Sequence, residues 1–503
     1  LKTPWKFEHT YATLPDRFYV RQAPVPVRAP RLVVFNEPLA DQLALGRGQL
    51  GDDELARVFS GNELMEGMHP LAQAYAGHQF GQFVILGDGR ALLLGEVLDL
   101  QGQRFDLQLK GSGQTPFSRR GDGRAALGPM LREYLVSFAM AALGIPTTRS
   151  LAVVATGETV YRPQPLPGAI LTRVAQSHVR VGTFEYLLAQ DDLEGLQRLA
   201  DYVIHRHYPG AREAKVPLLA LFAEVTRRQA ELVARWMEVG FIHGVMNTDN
   251  VSLAGETIDY GPCGFMDEYH PDTVFSSIDH QGRYRYRNQP GITQWNLTRF
   301  AETLLPVLTA QGMPRTQAQA SLLEVLEGFW PQYEAAWLQG LGAKLGLELA
   351  TDEDRRITRN LAAQWLELLA RNRADFTNSN RALGDFASAL VNQDPDPISQ
   401  VRRQDREFFQ GQDYARFLGP WSEALRKQGR MKAAVEQMRT RNPAVIPRNH
   451  RVEVALRQAE STGDLSLFQE LLQVLATPWE VTLPAYQDPP LEHERVLETF
   501  CGT

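Results

Sequence analysis

The chain has 503 residues, enough to bury a large core and to form more than one lobe. Its hydrophobic fraction of 44% and charged fraction of 22% are those of an ordinary globular protein, and a formal net charge of −7 argues against broad nucleic-acid binding. No apolar run reaches the roughly 18 residues of a spanning helix, and two cysteines, Cys263 and Cys501, exclude a disulfide framework or a cysteine zinc site. Leu1-Lys-Thr-Pro-Trp-Lys6 has neither signal-peptide nor transit-peptide character, and Leu1 in place of Met reads as the mark of a trimmed short leader. A reducing, cytoplasmic setting is expected, with no membrane and no nucleic acid as partner, and a monomer.

Residues 1–80 read as an N-terminal extension packed on a larger body. It has a Pro-rich run, Ala23–Pro30, a short apolar segment, Leu32–Phe35, and two stretches predicted as helical turns, Leu55–Phe59 and Leu71–Tyr75. From Phe80 the pattern turns β. Gln82–Leu86 leads through Gly87-Asp-Gly-Arg90 into Ala91–Leu98, and Asp-Gly between apolar runs predicts a hairpin. The next strand, Arg104–Lys110, alternates: Phe105, Leu107 and Leu109 face one side, Asp106, Gln108 and Lys110 the other. Gly111–Arg124 is a long loop rich in Gly and Arg. Gly128-Pro129 opens a helix, with Pro suited to the first turn, whose stripe is Met130/Leu131, Tyr134/Leu135 and Phe138; Glu133 lies just beside it.

Leu151–Val154 and Gly168–Val174 are two more predicted strands. A long amphipathic helix follows over Pro217–Val239 and stops at Gly240. Beyond about residue 295 the signal is mainly helical, including Glu324–Gly340 and Asp352–Leu369; Asp394-Pro-Asp-Pro397 breaks it, Leu465–Leu475 is a late amphipathic helix, and the tail from Thr477 is Pro-rich.

Between these halves lies His243–Gly261, crowded with Asn247, Asp249, Asn250 and Asp259. Gly255 supports the positive φ of a tight turn, so Ala254-Gly255 predicts a hairpin that sets Val251 against Ile258 and Asn250 against Asp259. Directly paired residues have Cβ atoms about 5 Å apart, close enough to share one hard divalent cation, and Mg²⁺ takes a few such oxygens plus phosphate oxygens. A polar surface hairpin is the alternative.

A β-rich part with a lone Lys and a helix bearing Glu, followed by a larger helical part with the polar loop, is the outline of a bilobal, protein-kinase-like α+β fold. The predicted divisions are 1–80, the N-terminal extension; 81–182, a β-rich N-lobe; 183–430, a helical C-lobe; and 431–503, a C-terminal helical extension and tail. Kinases carry His-Arg-Asp with an Asn further on, then Asp-Phe-Gly. Here His243 and Asn250 keep the His-to-Asn spacing and Asp259-Tyr-Gly261 resembles the metal motif, but Val245 stands where kinases have the catalytic Asp, and an aspartate returns at Asp249. By that likeness alone the chain is a catalytically dead pseudokinase.

Leu86-Gly-Asp-Gly-Arg90, Gln108–Arg119, Gly121-Asp-Gly-Arg124, His243-Gly-Val-Met-Asn-Thr-Asp-Asn250 and Asp259–Asp267 together resemble the selenoprotein O family, and the likeness runs from the N-terminal extension to the tail. It implies ATP bound in a flipped orientation and transfer of AMP, rather than phosphate, to Ser, Thr or Tyr hydroxyls of proteins. Under that reading Lys110 meets the triphosphate, with Glu133 as its ion-pair partner; an unrelated surface pair is the alternative. Gly87, Gly89, Arg90, Asp122, Gly123, Arg173 and Arg180 stand as further ATP contacts, Arg being suited to bidentate phosphate binding. Arg119, Arg120 and Arg124 read as a solvated loop face. Asn250 and Asp259 would hold Mg²⁺, with Mn²⁺ as the other candidate, and Asp259 would also approach the nucleotide. Asp249, at an ordinary carboxylate pKa near 4, would accept the substrate proton; a loop-stabilising Asx hydrogen bond is its other role. His243 reads as a brace, and His78, His205, His207 and His270 as structural or surface residues. Eukaryotic members of the family carry selenocysteine third from the C-terminus, where this chain has Cys501, and a switch disulfide to Cys263 would touch the site; two free thiols are the default. The rival activities are ordinary phosphotransfer and non-catalytic ATP binding.

Overall fold

The alternating runs Ala91–Leu98 and Arg104–Lys110 pair antiparallel, and the sheet they start is larger than the sequence suggested. In a computed structural model, which describes residues 5–48 and 50–500, the chain is mixed α+β. Its strands are β1 (Tyr19–Arg21), β2 (Arg31–Phe35), β3 (Leu71–Gln73), β4 (Ala76–Gln79), β5 (Gln82–Ile85), β6 (Ala91–Leu98), β7 (Arg104–Lys110), β8 (Ala125–Ala126), β9 (Arg149–Tyr161) and β10 (Pro165–Ala175). The main sheet runs β1-β3-β6-β7-β10-β9-β2, with β8 paired to β10, and every pairing is antiparallel. Residues before 80 are therefore woven into this sheet as three of its strands. Leu71–Gln73 is one of them, not a helical turn, because it fills the ladder between β1 and β6.

One face of the sheet, with Leu107, Leu109, Val154 and Ile170, packs on Leu39, Leu55, Val58 and Phe59 of α1 (Glu37–Gln42) and α2 (Asp52–Phe59). The other face, with Val153, Ala169 and Leu171, packs on Leu131 and Leu135 of α3 (Leu127–Ala142). Each such buried side chain contributes roughly 1.5–3 kcal/mol, so the sheet is held from both sides.

The helical part comprises α4 (Val181–Ala189), α5 (Leu193–His207), α6 (Pro217–Glu238), α7 (Gln289–Ala310), α8 (Arg315–Glu327), α9 (Phe329–Lys344), α10 (Asp352–Asn372), α11 (Phe376–Val391), α12 (Arg406–Gln410), α13 (Gln412–Lys427) and α14 (Met431–Arg441). The expected helix Glu324–Gly340 is instead parts of α8 and α9, with Gly328 between them. Two last helices, α15 (Asn449–Thr462) and α16 (Ser466–Ala476), cover α3. No described helix is long and apolar enough to cross a membrane.

The polar stretch is framed by β11 (Phe241–Ile242) and β12 (Gly264–Phe265), which pair antiparallel. Buried Leu218, Phe222, Val225, Leu232, Val233 and Trp236 fix α6, and Gly240 at φ 71 turns the chain into β11.

The hairpin expected at Asp88-Gly89 does not form. β5 turns back on β4 through Phe80-Gly81, both at positive φ (51 and 87), which gives the primed two-residue turn that suits strand twist. Phe80 is a costly residue there; its N–H donates to Asn247 Oδ1 at 3.0 Å and Tyr284 OH at 3.2 Å, which holds it. Asp88 is used elsewhere. Its N–H donates to Gln73 O at 2.9 Å, and its carboxylate accepts from Gln73 N–H at 3.1 Å and Gln108 Nε2 at 3.3 Å.

Candidate active site

In β7 the polar face is not solvated: Asp106, Gln108 and Lys110 are all buried. The β7–β10 register sets Arg173 opposite Gln108, so Arg173 and Lys110 share that face, the face that meets α3. Glu133 of α3 receives both. Lys110 Nζ lies 2.7 Å from Glu133 Oε2, and Arg173 Nε donates to Glu133 Oε1 at 2.7 Å. Asp259 closes the figure, its Oδ1 lying 2.5 Å from Lys110 Nζ and 3.4 Å from Arg173 Nη2. Two cations and two carboxylates thus balance each other in a site where an unpaired charge costs several kcal/mol. Burial alone would raise Asp259, but Lys110 and Arg173 overcome it and hold the carboxyl far below the usual range. Its side chain stays 37% exposed, and its backbone sits at φ 68. A non-glycine residue in this region is an unusual conformation, and Asp is among the residues that tolerate it best.

The hairpin predicted over Val251–Ile258 is replaced by a different arrangement. Gly255 makes its turn, at φ 79 with its N–H on Ser252 O, but the two arms pair outward: Ser252 bridges Arg180, and Thr257 bridges Thr147. Ladder partners on other segments outcompete the local one, so Asn250 and Asp259 are not cross-strand neighbours. Asn250 instead donates its Nδ2 to Val245 O at 2.9 Å, and among the described residues no hydrogen bond to its Oδ1 is seen. His243 is a brace, as expected of it: its Nε2 meets Ile258 O at 2.8 Å, and its N–H donates to Gln289 Oε1.

Asp249 sits in a short 3-10 turn, Thr248–Asn250, and is 8% exposed, with its Oδ1 lacking a hydrogen-bond partner among the described residues. Burial pushes its pKa up to about 7, against the opposing pull of Arg180. This corrects the expectation of an ordinary carboxylate near 4. Its backing is tight: a Cβ on Gly77 of β4 would fall 2.2 Å from Asp249 Oδ1, and one on Gly182 would fall 2.0 Å from Ala76 O. Arg180 donates from Nη1 to Asp249 O at 3.3 Å, lies 4.4 Å over the Tyr75 ring, and approaches Asp88 at 3.9 Å. Burial raises Asp88 to about 6, with Arg180 opposing.

Asp249 opens onto a cleft of about 570 Å³ that is also lined by Tyr75, Gly87, Gly89, Arg90, Phe117, Asp122 and Gly123. Gly87, at φ 130, and Gly89 admit Phe117, since Cβ atoms there would lie 2.4 Å from its ring and 2.9 Å from its carbonyl oxygen. Gly123 at φ 67 permits a close approach, but to Gly113 and Gln114 of the same loop. The Asp122 carboxylate is engaged by Arg162, at 2.8 and 3.2 Å. Arg119 and Arg120 are exposed, whereas Arg124 reaches back to Val25 O and Pro26 O and is not a solvated arginine.

Sequence reasoning missed the brace behind the loop. Glu185 of α4 accepts from Thr248 Oγ1 and meets His78 Nδ1 at 2.5 Å, while His78 N–H donates to Thr248 Oγ1 at 2.7 Å. Tyr284 OH donates to Asn247 Oδ1 at 2.7 Å. Only the lone His beside two small residues, Ala76 and Gly77, hinted at this. Cys263 is free and buried, its thiol pushed up to about 12 by burial; Cys501, the other cysteine, lies outside the described residues. Among the described residues no three His, Cys, Asp or Glu side chains cluster to hold a metal ion. Neither Asn250 nor Asp259 lines the cleft onto which Asp249 opens; what the two offer a hard cation is an ionised, partly open carboxylate and one amide oxygen, donors that fit Mg²⁺ only when phosphate or water completes the set.

The family described as "Protein adenylyltransferase SelO" matches residues 3–476. Curated relatives named "Protein nucleotidyltransferase YdiU" align over almost the full length of both chains. The one from Rhodopseudomonas palustris (strain BisB5) is 54% identical over 501 residues, 99% of each chain. That from Rhizobium etli (strain CFN 42) is 53% identical over 500 residues, 99% of this chain and 97% of its own. That from Syntrophotalea carbinolica is 51% identical over 502 residues.

Proposed function

Since the chain belongs to the SelO family of protein adenylyltransferases, we propose that it moves AMP from ATP to Ser, Thr or Tyr hydroxyls of proteins, with Asp249 as base. The observation that carries the role of Asp249 is its buried, unpartnered Oδ1 at the edge of a cleft rich in arginine. A carboxyl near pKa 7 is matched to accepting a proton at neutral pH. The acceptor oxygen attacks the α-phosphorus, the bond from that phosphorus to the bridging oxygen of the β-phosphate breaks, pyrophosphate leaves, and the hydroxyl proton passes to Asp249.

Positioning and charge account for the rest of the catalysis. Lys110 meets triphosphate oxygens, kept in place by Glu133; Arg90, Arg173 and Arg180 meet the phosphates of a flipped nucleotide; and Gly87, Gly89, Asp122 and Gly123 shape its bed. Asn250 and Asp259 would hold Mg²⁺ or Mn²⁺, which when bound neutralises charge on the triphosphate. Lys on a strand, Glu on the following helix and Asn-then-Asp after a long helix support a kinase-like, two-lobed reading of the sheet and helical parts, with the divisions near residues 80, 182 and 430. With Val245 in place of the kinase base, attack at the γ-phosphorus has no carboxylate to serve it, which favours attack at the α-phosphorus.

ATP labelled at the α or the γ phosphate, with Mg²⁺ or Mn²⁺ and a protein extract, tests this. Label is expected in protein from the α position and to be lost in Asp249→Asn; protein labelled only from the γ position overturns the reading in favour of phosphotransfer.

A further inference from the structure

The hairpin β4–β5 stands apart from the main sheet as a two-stranded sheet of its own. Its register pairs Gln79 with Gln82 and Gly77 with Val84, and Leu86 N–H continues the ladder to Tyr75 O. Across a two-residue turn these are the hydrogen-bonded pairs. The N–H and C=O groups of Phe83 and Ile85 therefore point away from β4, and no described residue bonds them.

The opposite edge of the hairpin is occupied. His78 N–H donates to Thr248 Oγ1, Phe80 N–H to Asn247 Oδ1, and Gly77 lies against the Asp249 carboxylate. One edge thus carries the candidate catalytic loop, and the other is open.

That open edge has none of the usual guards. Gln82-Phe-Val-Ile-Leu86 contains no charge and no proline, whereas exposed edge strands ordinarily carry one or the other to prevent pairing. Phe83 and Ile85, on one face, are 42% and 49% exposed. Free main-chain groups flanked by exposed apolar side chains are the requirements for adding a strand from another chain. Past Ile85 the chain runs directly into Leu86, Gly87 and Gly89 of the cleft. At the turn end, the Arg283 guanidinium reaches 3.6 Å from the position a Cβ on Gly81 would take and makes no ion pair among the described residues.

We propose that β5 is the docking edge for the acceptor protein, which adds an extended segment, apolar along Phe83 and Ile85 and acidic beside Arg283. This rests on the adenylyltransferase reading and names how its protein substrate is gripped. Strands pair about 4.8 Å apart, so the added strand lies roughly 10 Å from β4, and the modified hydroxyl belongs to residues just beyond the paired ones, where the segment passes into the cleft. A second copy of this chain on the same edge would set two clefts against each other and exclude acceptors.

Ile85→Pro deletes one outward N–H while leaving the ladder bonds of Gln82 and Val84 intact, and Phe83→Thr with Ile85→Thr keeps a strand but removes the apolar face. With α-labelled ATP and a soluble bacterial protein extract as acceptor, both variants should raise the half-saturating extract concentration about tenfold. The plateau rate, binding of a non-hydrolysable ATP analogue and the melting temperature should stay at wild-type values. Undiminished labelling by both variants, with wild type active, overturns the docking edge and leaves the adenylyltransferase reading intact. Absence of α-label transfer by the wild type overturns both. Sedimentation of the wild type as a dimer that Ile85→Pro converts to monomer assigns the edge to a second copy and also overturns the proposal.

Discussion

Asp249→Asn separates a residue kept for chemistry from one kept for structure. The substitution preserves shape and removes only the ionisable group. In the folded protein the carboxyl is raised from 3.8 to about 7 by burial, so folding favours its protonated form. Stability from this group is complete below about pH 4 and is lost as pH rises through 7. Asparagine carries no such loss. Its advantage over wild type should therefore grow by about 2–3 kcal/mol between pH 5 and pH 8, or about 2–3 °C in melting temperature for a chain of this size. Transfer from α-labelled ATP should meanwhile fall by about 10²–10⁴-fold, the usual worth of a positioned base. Scanning fluorimetry at the two pH values without divalent cation, beside a transfer assay, reads both quantities. A melting difference that is the same at both pH values, or transfer above a tenth of wild type, refutes the reasoning.

Glu133→Gln leaves Lys110 and Arg173 with Asp259 as their only carboxylate among the described residues; the loss of a buried partner should cost about 3–5 kcal/mol and roughly 100-fold in transfer, and an unchanged melting temperature would contradict the ion square. Gly77→Ala should displace Asp249, because the new Cβ would start 2.2 Å from its Oδ1; transfer is expected to drop more than about tenfold with ATP affinity within about twofold, as read by calorimetry. Glu256 is buried, and burial lifts it from 4.5 to about 7 against the bond from Gln176 N–H. Its stability contribution is likewise lost as pH rises through 7, so Glu256→Gln should gain about 2–3 kcal/mol on wild type between pH 5 and pH 8, with a flat difference counting against it.

What was legible in the sequence was whatever a single segment decides. The alternation in Arg104–Lys110 gives the strand and the face of Lys110, the three- and four-residue spacing after Pro129 gives α3, and Gly240 gives the end of α6. Lys110 meets Glu133 because each segment carries its residue on the side its own pattern dictates. What failed was whatever depends on a distant partner. Asp88-Gly89 has hairpin chemistry, yet Gln73 and Gln108 claim Asp88; Phe80-Gly81 lacks it, yet Asn247 and Tyr284 hold the turn. Val251–Ile258 has a hairpin pattern, yet Arg180 and Thr147 offer ladders that the sequence cannot display. Burial was the other hidden variable, for a loop aspartate has the same letters whether its pKa lies near 4 or near 7.

The two aspartates of the loop illustrate why that variable decides function. Asp259 and Asp249 are ten residues apart in one segment and receive opposite treatment: two cations in contact hold the first ionised, while the second is enclosed against Gly77 with one guanidinium opposing its burial. Carboxylates whose environments are driven apart in this way divide the work of a site, one suited to hold positive charge and one to move a proton. The Asp249 side of that division is set by the hairpin β4–β5. It supplies the glycine that encloses Asp249 and, through His78 and Phe80, the donors that fix the turn, so a protein bound at its open edge would press on the same element that encloses Asp249.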